Sequence, residues 1–301
     1  MPCTCGHVLL NETDADEEAI ADLTRQAQSQ RGAMAALTRA RRDQLKAEVS
    51  AEKAFARALV KSRRDLLNTL STAVEASSPL TLLNLTDEQL LSLILEGGLG
   101  LAIDDFIEQQ DRIREAASRA LEAIQPGLGF DGISDQIDMI QREAATAVFD
   151  EVIVPDFQSG IREALRDMSV DVPAEIALST LNDRLARSEG RQLTEVKTRI
   201  SQYGRSITAA AAAAADLDHY LYTGPIDGIT RPFCRALAGK VVNSKQLMRL
   251  NNGQGLSVIT SGGGYNCRHS WSPVTEGFIE AANLTPAKRA DISKANRGAK
   301  R

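Results

Sequence analysis

Three side chains in the last third of this 301-residue sequence have the types and spacing to do chemistry together. Cys234 lies in the block Asp227-Gly-Ile-Thr-Arg-Pro-Phe-Cys234-Arg-Ala-Leu-Ala-Gly239. Cys267 and His269 lie in Gly262-Gly-Gly-Tyr-Asn-Cys267-Arg-His269-Ser-Trp271-Ser-Pro273. Side chains alternate along a strand, so Cys267, His269 and Trp271 are expected on one face. The two Cα atoms would then be about 7 Å apart. With Cys234 approaching from a helix and His219 as a fourth ligand, the set is Cys2His2, which suits zinc. The spacing is not that of a zinc finger, which has a close Cys pair. Two other readings stay open. Both cysteines can be small buried hydrophobes beside a hydrogen-bonded His269, or they can form a disulfide. A thiolate–imidazolium couple between His269 and Cys267 or Cys234 would serve a cysteine-dependent hydrolase. Neither a helix N-terminus under the sulfur nor a third, orienting group is evident.

Other chemistry-bearing runs are weaker. Cys3-Thr-Cys5-Gly-His7 has ligand types but no fourth partner nearby, and reads as part of an irregular leader. Gly262-Gly-Gly264 lacks the Gly-Lys-Ser/Thr ending of a phosphate loop and is expected to make a tight turn with positive φ. Arg39, Arg41, Arg42, Lys46, Lys53, Arg57, Lys61, Arg63 and Arg64 face only Asp43, Glu48 and Glu52 in the same stretch. A second basic run covers 288–301. Such runs are either solvated helix faces or contacts to packaged DNA or an acidic partner, with non-specific, salt-dependent phosphate binding. No aromatics interleave, so base stacking is not expected. A net charge of −5 argues against a protein that coats nucleic acid.

The elements that must position these residues follow from periodicity. Residues 1–13 read as an irregular leader. From Asp14 to Ala76 there is no proline and only Gly32, and apolar residues recur at helical spacing. One helix of that length would run roughly 90 Å and would need partner helices or other subunits. Thr86-Asp-Glu-Gln89 is a capping box, opening an apolar run that stops at Gly97-Gly98. Further helices are expected over about 101–124, from Ser134 with a kink or break at Pro155, over 174–188 and over 191–216. The last carries Ala209 to Ala215, a tightly packed helix by propensity. His219–Thr223 reads as a strand, Thr230 as the cap of a short helix, and 244–251 as another. Segments 256–260 and 266–271 read as strands, and Thr285-Pro286 as the start of a final helix. All four tyrosines and the only tryptophan lie beyond residue 200, so the denser core belongs there. The organisation read is a leader (1–13), an elongated helical region (14–216), a compact α+β module (217–283) and a basic tail (284–301). The fold class is mainly α with a small α+β C-terminal module.

Four cysteines are too few for a disulfide scaffold of this size. Neither a signal peptide nor a membrane span is read; the longest apolar stretch, Leu90 to Ile103, is short of the ~20 residues needed. Synthesis in the cytoplasm is expected.

The two blocks resemble the C-terminal motif of Mu F-like phage head-morphogenesis proteins over roughly residues 190–280. Asp227, Thr230, Arg231, Cys234, Leu237, Gly239, Asn266, Cys267, Arg268, His269 and Pro273 match position by position. Many members also carry another Cys in the first block and a His before Asn-Cys-Arg. Here Pro232 or its neighbours and Tyr265 stand in those places. The resemblance implies a structural, non-enzymatic component of the virion head, made late in the host cytoplasm and present in few copies. Its partners would be the portal and major capsid proteins, with self-association through long helices, and packaged DNA as a further contact. In this reading the motif residues hold the module together, and Asp227, Arg231, Arg268 and His269 are its polar anchors. Arg231 and Arg268 suit bidentate pairing with carboxylates such as Asp227. An internal virion protein ejected with the DNA, and a cysteine-dependent hydrolase, are the alternatives.

Overall fold

The computed structural model describes the backbone of residues 5–299 and the side chains of residues 14–299. The chain is mainly helical, with a small mixed sheet near its C-terminus, as expected. Helix α1 (Cys5–Ser29) is helical from Cys5 where an irregular leader was read; the stretch 5–13 holds no proline and one glycine. The Cys3-Thr-Cys5-Gly-His7 ligand set lies outside the described side chains. The single long helix expected from 14 to 76 is divided, with α2 (Gly32–Ala76) starting anew. Gly32 takes φ +59, which an uninterrupted right-handed helix does not allow.

Ser78 caps α3 (Pro79–Leu83), and the capping box read at Thr86 and Gln89 opens α4 (Asp87–Ile94). A kink within Leu95–Leu99, where Gly97 and Gly98 leave helical geometry and Gly98 has φ +100, then re-aims the chain into α5 (Gly100–Ile124). Helix α6 (Ser134–Val148) passes through a π-turn, Phe149–Ile153, into α7 (Val154–Ser169). Pro155 sits in the first turn of α7, where its missing N–H is tolerated. Of the kink or break expected at Pro155, the chain shows no break: the π-turn runs directly into α7. The two helices read over 174–188 and 191–216 are one, α8 (Ala174–Ala214). Gly190 costs only about 1 kcal/mol inside a helix, and good helix formers flank it. Within the alanine run, Ala210, Ala211 and Ala212 are buried, in keeping with close packing.

Beyond α8 come β1 (His219–Thr223), α9 (Pro232–Leu237), β2 (Lys240–Asn243), α10 (Ser244–Leu247) and α11 (Val258–Ser261). They are followed by β3 (Ser270–Val274), α12 (Glu276–Ala281), β4 (Thr285–Pro286) and α13 (Arg289–Gly298). The sheet order is β3-β1-β2-β4, with β1 antiparallel to both neighbours and β2 parallel to β4. Three expectations fail here. Segment 256–260 turns helical as α11. The strand read over 266–271 begins only at Ser270, because Asn266 takes φ +53 after Gly264 at +108. Thr285-Pro286 pairs with β2 instead of opening a helix, which starts at Arg289.

Two compact units emerge. One gathers residues up to Val49, Gln110–Gln141 and the chain from Ile200 on, so it reaches beyond the 217–283 module. Its sheet core holds Tyr222, Phe233, Cys234, Leu237, Val242 and Trp271, and α1 packs on α2 through Ala19, Leu23, Leu45 and Val49. The other comprises Ser50–Gln109 and Arg142–Arg199. At its centre Phe55, Phe106 and Phe149 meet edge-to-face at 5.5 to 5.8 Å.

Candidate thiol–imidazole site

Strand β1, helix α9 and the loop before β3 bring the candidate residues together. Pro232 in the first turn pre-sets the fold of α9. Gly239 follows with φ +77 and donates its N–H to the Tyr222 carbonyl at 2.8 Å, tying the end of α9 to β1. The cap of α9 is Arg231, not Thr230. Thr230 instead closes the preceding turn: its hydroxyl accepts the Asp227 N–H and donates to Asp227 Oδ1, both at 2.9 Å.

The loop from Ser261 to Cys267 folds around the sulfurs, and its glycines are required there. A Cβ on Gly263 would lie 2.5 Å from Cys234 Sγ, and one on Gly262 3.0 Å from Cys267 Sγ. Gly262 also has φ +54, so the tight turn with positive φ is present. The Gly263 N–H donates to Cys267 Sγ at 3.1 Å. Arg231 Nη1 holds the Gly263 carbonyl at 2.8 Å.

Inside this cradle the two sulfurs are 3.6 Å apart. Tyr222 Oη stands 3.4 Å from Cys234 Sγ and 3.6 Å from Cys267 Sγ. The His269 ring stacks on Tyr222 at 5.2 Å, and Trp271 covers the same tyrosine at 4.3 Å. One ligand atom from each of Cys234, Cys267 and His269 falls within 4.8 Å of the others. Cys234, Cys267 and His269 are 2%, 6% and 3% exposed, so bulk water does not reach them. His269 Nε2 is buried without a hydrogen-bond partner.

The charge pattern is asymmetric. Hydrogen bonding from the Cys234 thiol, with help from His269 and Arg205, holds the Cys267 thiol well below the ordinary thiol range despite burial. The same bond, together with burial, pushes Cys234 up. Burial, then the two sulfurs, pushes the Tyr222 phenol up. Burial raises Asp227, but hydrogen bonds from Arg268 and Thr230 outweigh it and leave the carboxyl below its usual range.

His219 does not join the cluster. It stands at the start of β1, three residues before Tyr222, so about 10 Å along the strand. Its Nδ1 contacts Asp218 at 2.6 Å instead. Cys267 reaches His269 from a loop rather than from a shared strand face. Of the two expected arginine partners of Asp227, Arg268 is one: Nη2 donates to Oδ1 at 3.0 Å and Nη1 lies 2.7 Å from Oδ2. Arg231 uses the Gly263 carbonyl instead. Asn266 supplies the left-handed bend before Cys267.

Most of the basic run on α2 is exposed: Arg39, Lys46, Lys53, Arg57, Lys61 and Arg64. Arg42 pairs with Asp43, and Arg63 with Glu189 at 2.7 Å. Arg41 is not a surface contact at all. It is 1% exposed, pairs with Glu48 at 3.1 Å and donates to the Arg268 carbonyl at 3.2 Å. Its i+7 partner places both on the apolar stripe, so counting charges alone misassigned it.

Sequence reasoning missed Tyr222 and Arg205 as parts of the site. Tyr222 was legible as part of the strand 219–223, but not as the phenol beside both sulfurs. Arg205 is 4% exposed; its guanidinium donates to the Thr260 carbonyl at 3.2 Å and to the Cys267 carbonyl. A lone arginine near an alanine run is the only hint of that in the sequence.

Chemically, the arrangement is a closed dithiol with an imidazole at its edge, able to hold a soft metal ion or to oxidise. Comparison with protein-family models, curated proteins and solved structures returned no match.

Proposed function

We propose that this chain is a structural, non-catalytic component of a phage head, of the Mu F-like head-morphogenesis type, working through contacts with portal or capsid subunits. The observation that carries the reading is closure: the block near 230 and the block near 267 meet in one buried core rather than lining a cleft. Their charged residues serve as struts. Arg268 spans Asp227 and the Ala15 carbonyl at 2.8 Å, Arg231 grips the glycine loop, and Arg205 the backbone on either side of it. A hydrolase would need a sulfur that a substrate can reach, and both thiols are nearly inaccessible.

Contact surface for partners is present on the helices. Leu101, Val170 and Ile176 are each more than half exposed. The exposed lysines and arginines of α2 suit an acidic subunit or DNA phosphate. Among the described residues no helix is long and apolar enough to cross a membrane.

The test is particle composition. Peptides of this chain should sediment with DNA-filled heads from cells expressing the gene in its phage context, and should stay with emptied heads. Loss of the chain upon DNA release would replace the structural role by that of an ejected internal protein. Absence from particles altogether would overturn the reading.

A further inference from the structure

We propose that Cys234, Cys267 and His269 bind one thiophilic divalent cation, with zinc the best chemical match and Tyr222 Oη closing the fourth side. The site would be structural, and it stands independently of any role in a phage head.

The donor set comes first. Two sulfurs and an imidazole are the ligands zinc prefers, and three protein ligands define a site with one remaining position. Among the described residues no other group of His, Cys, Asp or Glu converges in this way. Spacing comes second. With zinc–sulfur bonds near 2.3 Å, two thiolates of a tetrahedral site are about 3.8 Å apart; here the sulfurs are 3.6 Å apart. With an oxygen ligand near 2.0 Å, the sulfur–oxygen edge is about 3.5 Å; Tyr222 Oη stands at 3.4 and 3.6 Å. A disulfide would instead require the sulfurs to close to roughly 2.05 Å.

The surroundings are built for thiolates. The Gly263 N–H points at Cys267 Sγ, and Gly262 and Gly263 leave room only for sulfur. Arg231 fixes that loop from outside. His269 Nε2 has no other partner despite full burial, a cost normally avoided, and coordination would be one way to meet it. Arg205 donates to the Cys267 carbonyl, and Arg268 grips the Asp227 carboxylate in the turn before α9.

The step balances simply. Both thiols lose their protons as two sulfur–metal bonds form, the imidazole binds neutral, and the two thiolates offset the ion's charge, with two protons released to solvent. No oxidant is involved. Because Cys234, Cys267 and His269 are buried and Tyr222 Oη stands at the fourth side, the metal would brace the module rather than activate a nucleophile.

The experiment uses the full chain, purified without chelator from zinc-supplemented cells. Elemental analysis should give one equivalent of zinc. The chelator-stripped, reduced protein should take up one equivalent of Co2+ anaerobically, with an intense thiolate-to-cobalt absorption and release of two protons. His269→Ala should weaken Co2+ binding at least tenfold, and Cys234→Ser should at least halve the charge-transfer band. Cys3→Ser combined with Cys5→Ser should leave both unchanged. Circular dichroism identifies variants that fail to fold, and the wild-type measurements decide without them. Zinc well below one equivalent together with no cobalt–thiolate band would overturn the proposal. So would a native protein two mass units light, with Cys234 and Cys267 blocked to alkylation.

Discussion

The two units of this chain are built from the same kind of long helix yet are held together by different physics. The unit of Ser50–Gln109 and Arg142–Arg199 closes on three phenylalanines meeting edge-to-face. Its ion pairs, such as Arg63–Glu189 and Lys197–Glu52, keep some exposure. The unit that carries the sheet instead buries Arg41, Glu48, Arg205, His269 and two thiols. Apolar packing is tolerant and non-directional. Buried charge is all-or-none, because each partner left alone is heavily penalised. A helical framework thus needs little more than volume in one unit, whereas the other commits to specific partners. Specific partners are what a site requires.

The sharpest break in that comparison is Phe106→Ala. Loss of a fully buried phenylalanine from a three-ring cluster should cost about 3–5 kcal/mol, with about 1 kcal/mol more from the aromatic pairs. Hydrogen exchange should rise in 50–109 and 142–199 well before it rises around β1. Uniform acceleration over both units would show that they unfold as one.

Glu48→Ala is the counterpart in the polar unit. It leaves the Arg41 guanidinium buried without its carboxylate, at a cost of about 3–5 kcal/mol, read as a lower denaturant midpoint. Glu48→Ala combined with Arg41→Met should recover much of the loss. If the double variant is no better than the single one, the charge pair is not what holds this region.

Asp227→Asn is smaller, about 2 kcal/mol for the weakened bonds to Arg268. It also has a pH signature. The folded carboxyl titrates below its ordinary value, so its contribution is complete above about pH 4. It fades as pH falls further toward the folded value. Wild type and variant should therefore differ at pH 6 and converge in acid. A constant difference across that range would rule out the ion pair as the cause.

Smallest is Thr86→Ala, which removes the capping box of α4 for about 1 kcal/mol and should leave the polar unit untouched.

The legibility of these features in the sequence follows the same division. Stripes of apolar residues gave away the helices, and Thr86 with Gln89 marked a helix start correctly. The strand at Tyr220 and Tyr222 was readable from alternation. Breaks within helices were not, because they depend on single backbone choices: Gly32 adopts the left-handed conformation and divides a helix, while Gly190 does not. Strand β2 and the parallel pairing with β4 carry no local signal, since pairing is decided by partners far along the chain. At the site, Cys234, Cys267 and His269 were legible by type, and their meeting was expected from a strand that does not exist there. The loop that does bring them together is written in Gly262, Gly264 and Asn266; the tight glycine turn was legible, the left-handed bend at Asn266 was not. His219 misled because residue type without position says nothing about reach.

The contacts of Arg268 with Ala15 and of Arg41 with the Arg268 carbonyl join residues 253 and 227 positions apart. During translation, the front of the chain therefore leaves the ribosome long before its binding site is made. At roughly 5–20 residues per second, the delay is on the order of ten to fifty seconds. Throughout it, α1 and the first turns of α2 offer an apolar stripe and an unaccommodated guanidinium to whatever is nearby. Newly made chain is thus most open to chaperone capture and proteolytic clipping around α1 and the first turns of α2 until residue 268 has been synthesised.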